Sequence, residues 1–106
     1  MEEMELLYMQ IISNAGTARS LIIEGLQEAR EGNFAEGESK MDEANHFFIE
    51  AHKIHGQLIQ KEAQGEEVPF SLLFMHAEDQ LMSTETIRHL SKEMFFMYTK
   101  MHANNK

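Results

Sequence analysis

The chain has 106 residues, with nine Lys and Arg against eighteen Asp and Glu, and no Cys. That length suits a single domain, residues 1–106, with a modest core and little room for a deep cleft, so self-association is open from the outset. A formal charge of −9 disfavours nucleic acid and anionic membranes, and the absence of Cys removes disulfides, thiolate metal sites and Cys nucleophiles, which agrees with a cytoplasmic protein.

Three long helices are predicted. The first spans about residues 2–31. Leu6, Leu7, Met9, Ile11 and Ile12 recur at helical spacing, and Leu21, Ile22, Ile23 and Leu26 continue the pattern. Its acidic opening, Met1-Glu2-Glu3-Met4-Glu5, is unlike a secretory signal. Between the two apolar runs, Ser13-Asn14-Ala15-Gly16-Thr17 is a weak helix former and predicts a kink. Gly32-Asn33 supplies the stop.

The second helix spans about residues 34–64, with Met41, Ala44, Phe47, Phe48, Ala51, Ile54, Leu58 and Ile59 as its inner face. Gly65-Glu66-Glu67-Val68-Pro69 forms a connector. Ser71 is the expected N-cap of the third helix, which runs to about residue 102, and Asn104-Asn105-Lys106 is expected to fray. Short connectors between long helices give an all-α fold, an antiparallel three-helix bundle. No apolar run reaches the roughly 20 residues of a membrane span.

The third helix is too apolar for one interface. Leu72, Leu90, Met94, Met97 and Met101 fall on one line of threes and fours. Leu73, Ile87, Phe95 and Tyr98 widen that face, and Phe74, Leu81 and Phe96 lie off its centre. Such a helix packs within its own chain and against other copies, which predicts a seam of parallel third helices. The same line passes through His76, Asp79, Ser83 and Thr86, so one end of the seam is polar. Gln80 shares the face of His76 and Asp79, being four positions from the first. Glu78 is expected to point elsewhere, into water.

His76 admits several readings from the residues alone. It is a hydrogen-bonded core His, an exposed His, a register-setting polar residue, a nucleophile or a metal ligand. His52 and His55 share a face of the second helix and, with His76, could form a three-His metal site. The competing readings of the whole chain are a non-catalytic helical oligomerisation or adaptor module and a His-rich metal-binding bundle. No phosphate-binding loop, dinucleotide fingerprint or nucleophile elbow is present. No Lys or Arg occurs between Glu62 and Ile87, so an anion on His76 has no cation beside it in sequence.

Leu73-Phe74-Met75-His76-Ala77-Glu78-Asp79-Gln80-Leu81-Met82 resembles the active-site segment of the IIA components of the bacterial sugar phosphotransferase system, lactose/cellobiose class. That family reads His-Ala-Gln-Asp-His-Leu-Met there. Ile11-Ile12-Ser13-Asn14-Ala15-Gly16-Thr17-Ala18-Arg19-Ser20 resembles its Ile-Ser-x-x-Gly-x-Ala-Arg-Ser stretch. Ala51-His52 followed by Leu58-Ile59-Gln60-Lys61-Glu62-Ala63-Gln64-Gly65 resembles its Ala-His and Leu-Ile-x-x-Glu-Ala-x-Gly block.

The resemblance implies a homotrimer joined through the third helices. It implies an enzyme that carries a phosphoryl group on His76, received from the histidine-containing phosphocarrier protein and passed to a IIB component for uptake of a disaccharide. A cellobiose- or chitobiose-like sugar is favoured over lactose. The resemblance places Asp79 near the trimer axis as a ligand for Mg2+, and leaves Gln80, where the family has His, to orient the His76 ring or touch the phosphoryl group. Glu78 stands in place of the usual Gln, and His55-Gly56 in place of the usual Gln-Thr.

Overall fold

The computed structural model describes residues 3–105 and folds them into three helices: α1 (Glu3–Arg30), α2 (Phe34–Ala63) and α3 (Leu72–Asn104). They form an elongated antiparallel bundle measuring 59 × 23 × 20 Å. The expected helix start at Glu2 and the expected fraying of Lys106 lie outside the described residues. Asn104 continues α3 where fraying was expected, and Asn105 follows it as the cap.

The helix ends follow from local chemistry. Both α1 and α2 stop in a left-handed glycine, Gly32 at φ 86° and Gly65 at φ 85°. At the first, the Asn33 amide donates to the Glu28 carbonyl and the Gly32 amide to the Ala29 carbonyl. At the second, Glu66 and Gly65 donate to Lys61 and Glu62 in the same pattern. These paired bonds satisfy carbonyls that the helix leaves open, and only glycine takes the required φ without strain. Ser71 caps α3 as its sequence position suggests: its hydroxyl oxygen accepts from the Phe74 amide at 3.0 Å.

The Ser13–Thr17 stretch does not interrupt α1, which is helical throughout. The Asn14 side chain donates to the Gln10 carbonyl, and the buried Thr84 hydroxyl of α3 donates to the Ala15 carbonyl at 3.3 Å. Ala15 and Ala18 are fully buried. Buried Ala15 and Ala18, good helix formers, carry the packing here, while a Cβ on Gly16 would meet nothing within 4 Å, so the surrounding helix overrides two weak positions.

α1 is the central element. Both α2 and α3 pack on it, and they touch each other far less. One core joins Tyr8, Ile11, Ala15 and Ala18 to Phe48, Ala51, Ile54 and Leu58 of α2 and to Ala77 and Leu81 of α3. A smaller one gathers Ile22, Leu26 and Ala44, with Ile87, Phe95 and Tyr98 packed against it. Near the α1–α2 turn the two backbones meet at Gly25 and Gly37. A Cβ added to Gly37 would lie 2.9 Å from the Gly25 carbonyl oxygen and 3.0 Å from the Phe95 ring. At the same end of the bundle, His102 Nε2 reaches the Arg30 carbonyl at 2.9 Å and closes the end of α3 over the end of α1.

These contacts give opposite expectations for two helical glycines. Gly37→Ala meets backbone that cannot move aside, and should lower stability by about 1–3 kcal/mol despite the better propensity of Ala. A Cβ on exposed Gly56 meets nothing within 4 Å, so Gly56→Ala should raise stability by about 0.5–1 kcal/mol. Urea unfolding followed by circular dichroism measures both.

Candidate functional site

The site lies at the beginning of α3. Its placement starts with Tyr8, which is 2% exposed. The Tyr8 ring stacks on Phe74, with centroids 5.0 Å apart, and its hydroxyl donates to the Pro69 carbonyl at 3.2 Å. One side chain of α1 thus fixes both the connector and the first turn of α3. With the Ser71 cap, this gives a rigid platform for His76 on the second turn.

His76 is exposed, and so is Asp79 one turn on, while Gln80 is half-buried beside them. The Ser83 hydroxyl donates to Asp79 Oδ1 at 3.4 Å. The inner stripe of α3 consists of Ala77, Leu81, Thr84 and Ser91. Leu73, Phe74, Ile87, Phe95 and Tyr98 also pack inward. That leaves the other face uncovered. Leu72 is 82% exposed, and Leu90 and Met97 are each 58% exposed, with Met94 and Met101 on the same line. His76 and Asp79 belong to this exposed line, which removes the core-histidine reading.

Two expectations are corrected. Glu78 does not point into water: its Oε1 lies 2.6 Å from His55 Nε2 on α2, and both side chains are largely covered. The three-His metal site does not form, because His55 is turned to Glu78 and His52 packs beside the Phe48 ring, 6.0 Å between centroids. Among the described residues no group of three or more His, Asp or Glu side chains is placed to hold a metal ion. Phe74 is partly buried against Tyr8. The exposed apolar groups near the site are Leu72 and Met75, with Phe70 and Ile59 on an adjoining α2–α3 groove.

Sequence reasoning assigns no role to Tyr8 or Arg88. Arg88 bridges α3 to α2 farther along, donating to Asn45 Oδ1 at 3.0 Å with its guanidinium 4.8 Å from the Phe48 ring centre. The only available signal for the His55–Glu78 pair is that both residues depart from the pattern the chain resembles.

The lactose/cellobiose-specific IIA subunit model of the phosphotransferase system matches residues 6–99. The chain belongs to this family. It is 37% identical over 99 residues to a lactose-specific EIIA component of Staphylococcus aureus, covering 93% of this chain and 96% of the relative. It is 45% identical over 94 residues to the oligo-beta-mannoside-specific EIIA component of Bacillus subtilis, covering 89% and 86%. Its fold superposes on the cellobiose-specific enzyme IIA of Bacillus anthracis with a TM-score of 0.94 at 40% identity, covering 97% of this chain and 94% of that one. A chitobiose IIA from Escherichia coli, solved in complex with HPr, aligns with a TM-score of 0.82 at 33% identity, covering 96% and 99%. This IIA chain is therefore a phosphotransferase-system component, and among its described residues no helix is long and apolar enough to cross a membrane.

Burial raises the Tyr8 pKa above the usual phenol value of 10.0 by desolvation. Above about pH 10 the unfolded chain loses a proton that the folded chain keeps, so this group makes stability fall as pH rises from there. Tyr8→Phe should remove that alkaline slope, and at neutral pH it should cost about 0.5–1.5 kcal/mol through the lost bond to Pro69. Urea titrations at pH 8 and at alkaline pH compare the two proteins.

Proposed function

We propose that this IIA component carries a phosphoryl group on His76, taking it from the histidine-containing phosphocarrier protein and giving it to a cysteine of a IIB component. The observation that carries this reading is an exposed imidazole on a capped, pinned helix turn, bordered by uncovered Leu72 and Met75. A neutral ring nitrogen of His76 attacks phosphorus, and the electron pair of the breaking P–N bond returns to the donor's ring nitrogen. The exposed apolar side chains give each partner a surface to bury, and that closure keeps water from the labile bond. Gln80, one turn along, can donate a hydrogen bond to the ring or to a phosphoryl oxygen. An acidic surface suits basic partner faces and fast encounter.

The uncovered line Leu72, Leu90, Met94, Met97 and Met101 supports a homotrimer with parallel third helices. Three copies of Asp79 then meet near the axis, and converging carboxylates either take up protons or recruit a cation. An all-oxygen donor set suits Mg2+ with waters completing its shell. The favoured sugar is a cellobiose- or chitobiose-like disaccharide over lactose, on overall likeness to a family that also includes lactose-specific components, and the favoured compartment is the cytoplasm.

Incubation with phosphoenolpyruvate and the two general phosphotransferase proteins should label the wild type, and the label should be acid-labile and base-stable. His76→Ala and His76→Gln should abolish it with helicity unchanged. Label that persists in these variants, or that sits on His52 or His55, identifies a different carrier.

The assembly is tested separately by sedimentation. Leu90→Asp with Met94→Asp should dissociate the trimer, because the new carboxylates would be buried without partners. Asp79→Leu should keep or strengthen it while removing any effect of Mg2+ on the melting temperature. A wild-type mass of one chain at micromolar concentration overturns the trimer, and a wild-type melting temperature indifferent to chelation overturns the metal site.

A further inference from the structure

The first half of α3 combines a carrier histidine with a carboxylate two positions away, and residues 63–86 contain no Lys or Arg. Phosphorylation brings about −1.5 to −2 charges to the imidazole. An unrestrained Glu78 would share that field, because a carboxylate on the same helix turn repels a phosphoryl group through partly desolvated surroundings. The structure offers one cationic or hydrogen-donating partner for Glu78, and it comes from the other helix. His55 Nε2 lies 2.6 Å from Glu78 Oε1, with side chains 18% and 32% exposed. His55 and Glu78 line an α2–α3 groove that Glu62 also lines.

We propose that His55 is a positioning residue for phosphoryl transfer at His76: it holds the Glu78 carboxylate against α2, out of the field of the phosphoryl group. This rests on the reading of His76 as the carrier. The contact crosses the sparsest boundary in the bundle, that between α2 and α3. It is therefore a directed interaction across a gap and not a by-product of close core packing. Holding the carboxylate toward α2 keeps it on the side of α3 away from the His76 face and occupies one of its oxygens with a donor. Both effects lower the repulsion that a doubly charged phosphoryl group meets on arrival.

The test separates electrostatic positioning from a simple structural clasp. Wild type, His55→Gln, Glu78→Ala and the double variant are each equilibrated with the phosphorylated phosphocarrier protein. The ratio of phosphoryl group on His76 to that on the carrier is then measured, with melting temperatures recorded in parallel. His55→Gln frees the carboxylate and should shift the ratio against His76 by roughly three- to thirtyfold, the range expected for charges some 8 Å apart at an exposed site. Glu78→Ala breaks the same contact but removes the charge, and should stay within about twofold of wild type. The double variant should match Glu78→Ala.

His55→Lys, which keeps a nitrogen donor opposite Glu78, should match the wild type. An unchanged ratio in His55→Gln overturns the proposal, as does a loss in Glu78→Ala or the double variant equal to that in His55→Gln. An impaired His55→Lys also overturns it. Absence of label from all of these proteins, wild type included, overturns the carrier reading itself and this inference with it.

Discussion

Everything in this fold depends on α1 being buried on two sides. α2 and α3 each lie against it and largely ignore one another. Two-sided burial requires a helix whose apolar residues surround much of its girth and whose side chains are short where neighbours come closest. α1 meets both demands with Tyr8, Ile11, Ile22 and Leu26 for bulk and Ala15, Ala18, Gly25 and Ala29 for proximity. Because α1 occupies the middle, α3 is left with one face inside and one outside. The face turned outward carries both the large apolar residues and His76.

This division explains which parts were legible in the residues and which were not. The number of helices, the left-handed stops at Gly32 and Gly65 and the Ser71 cap follow from local rules, and those rules hold here because nothing tertiary opposes them. The excess apolar surface of α3 was equally visible, since periodicity reports how many faces a helix must bury. The Ser13–Thr17 stretch misleads because two weak helix formers draw attention away from Ala15, whose burial against α3 keeps the helix whole. His76, Asp79 and Gln80 could be placed on one face by counting, whereas Glu78 could not. Counting along α3 says which way a side chain departs from its own axis, and it is silent about what another helix holds out to meet it.

Tyr8 shows the same limit from the opposite direction. A tyrosine among aliphatic residues in an amphipathic helix reads as one more core position. Its value lies in reaching Pro69 and Phe74, more than 60 positions away in the chain. His76 itself stays exposed. The cap at Ser71 and the stack of Phe74 on Tyr8 hold the helix turn before it without covering it.

The bonds that fasten α3 to α1 span very long stretches of chain: Tyr8 to Pro69, Thr84 to Ala15, and His102 to Arg30 are 61, 69 and 72 positions apart. α1 and α2, by contrast, meet across the three-residue turn Glu31-Gly32-Asn33 and form a hairpin from near neighbours. Closing a long loop costs more entropy than closing a short one, and that cost falls before the contacts that offset it are complete. These separations favour an order in which the hairpin forms first and α3, with His76 on it, docks last.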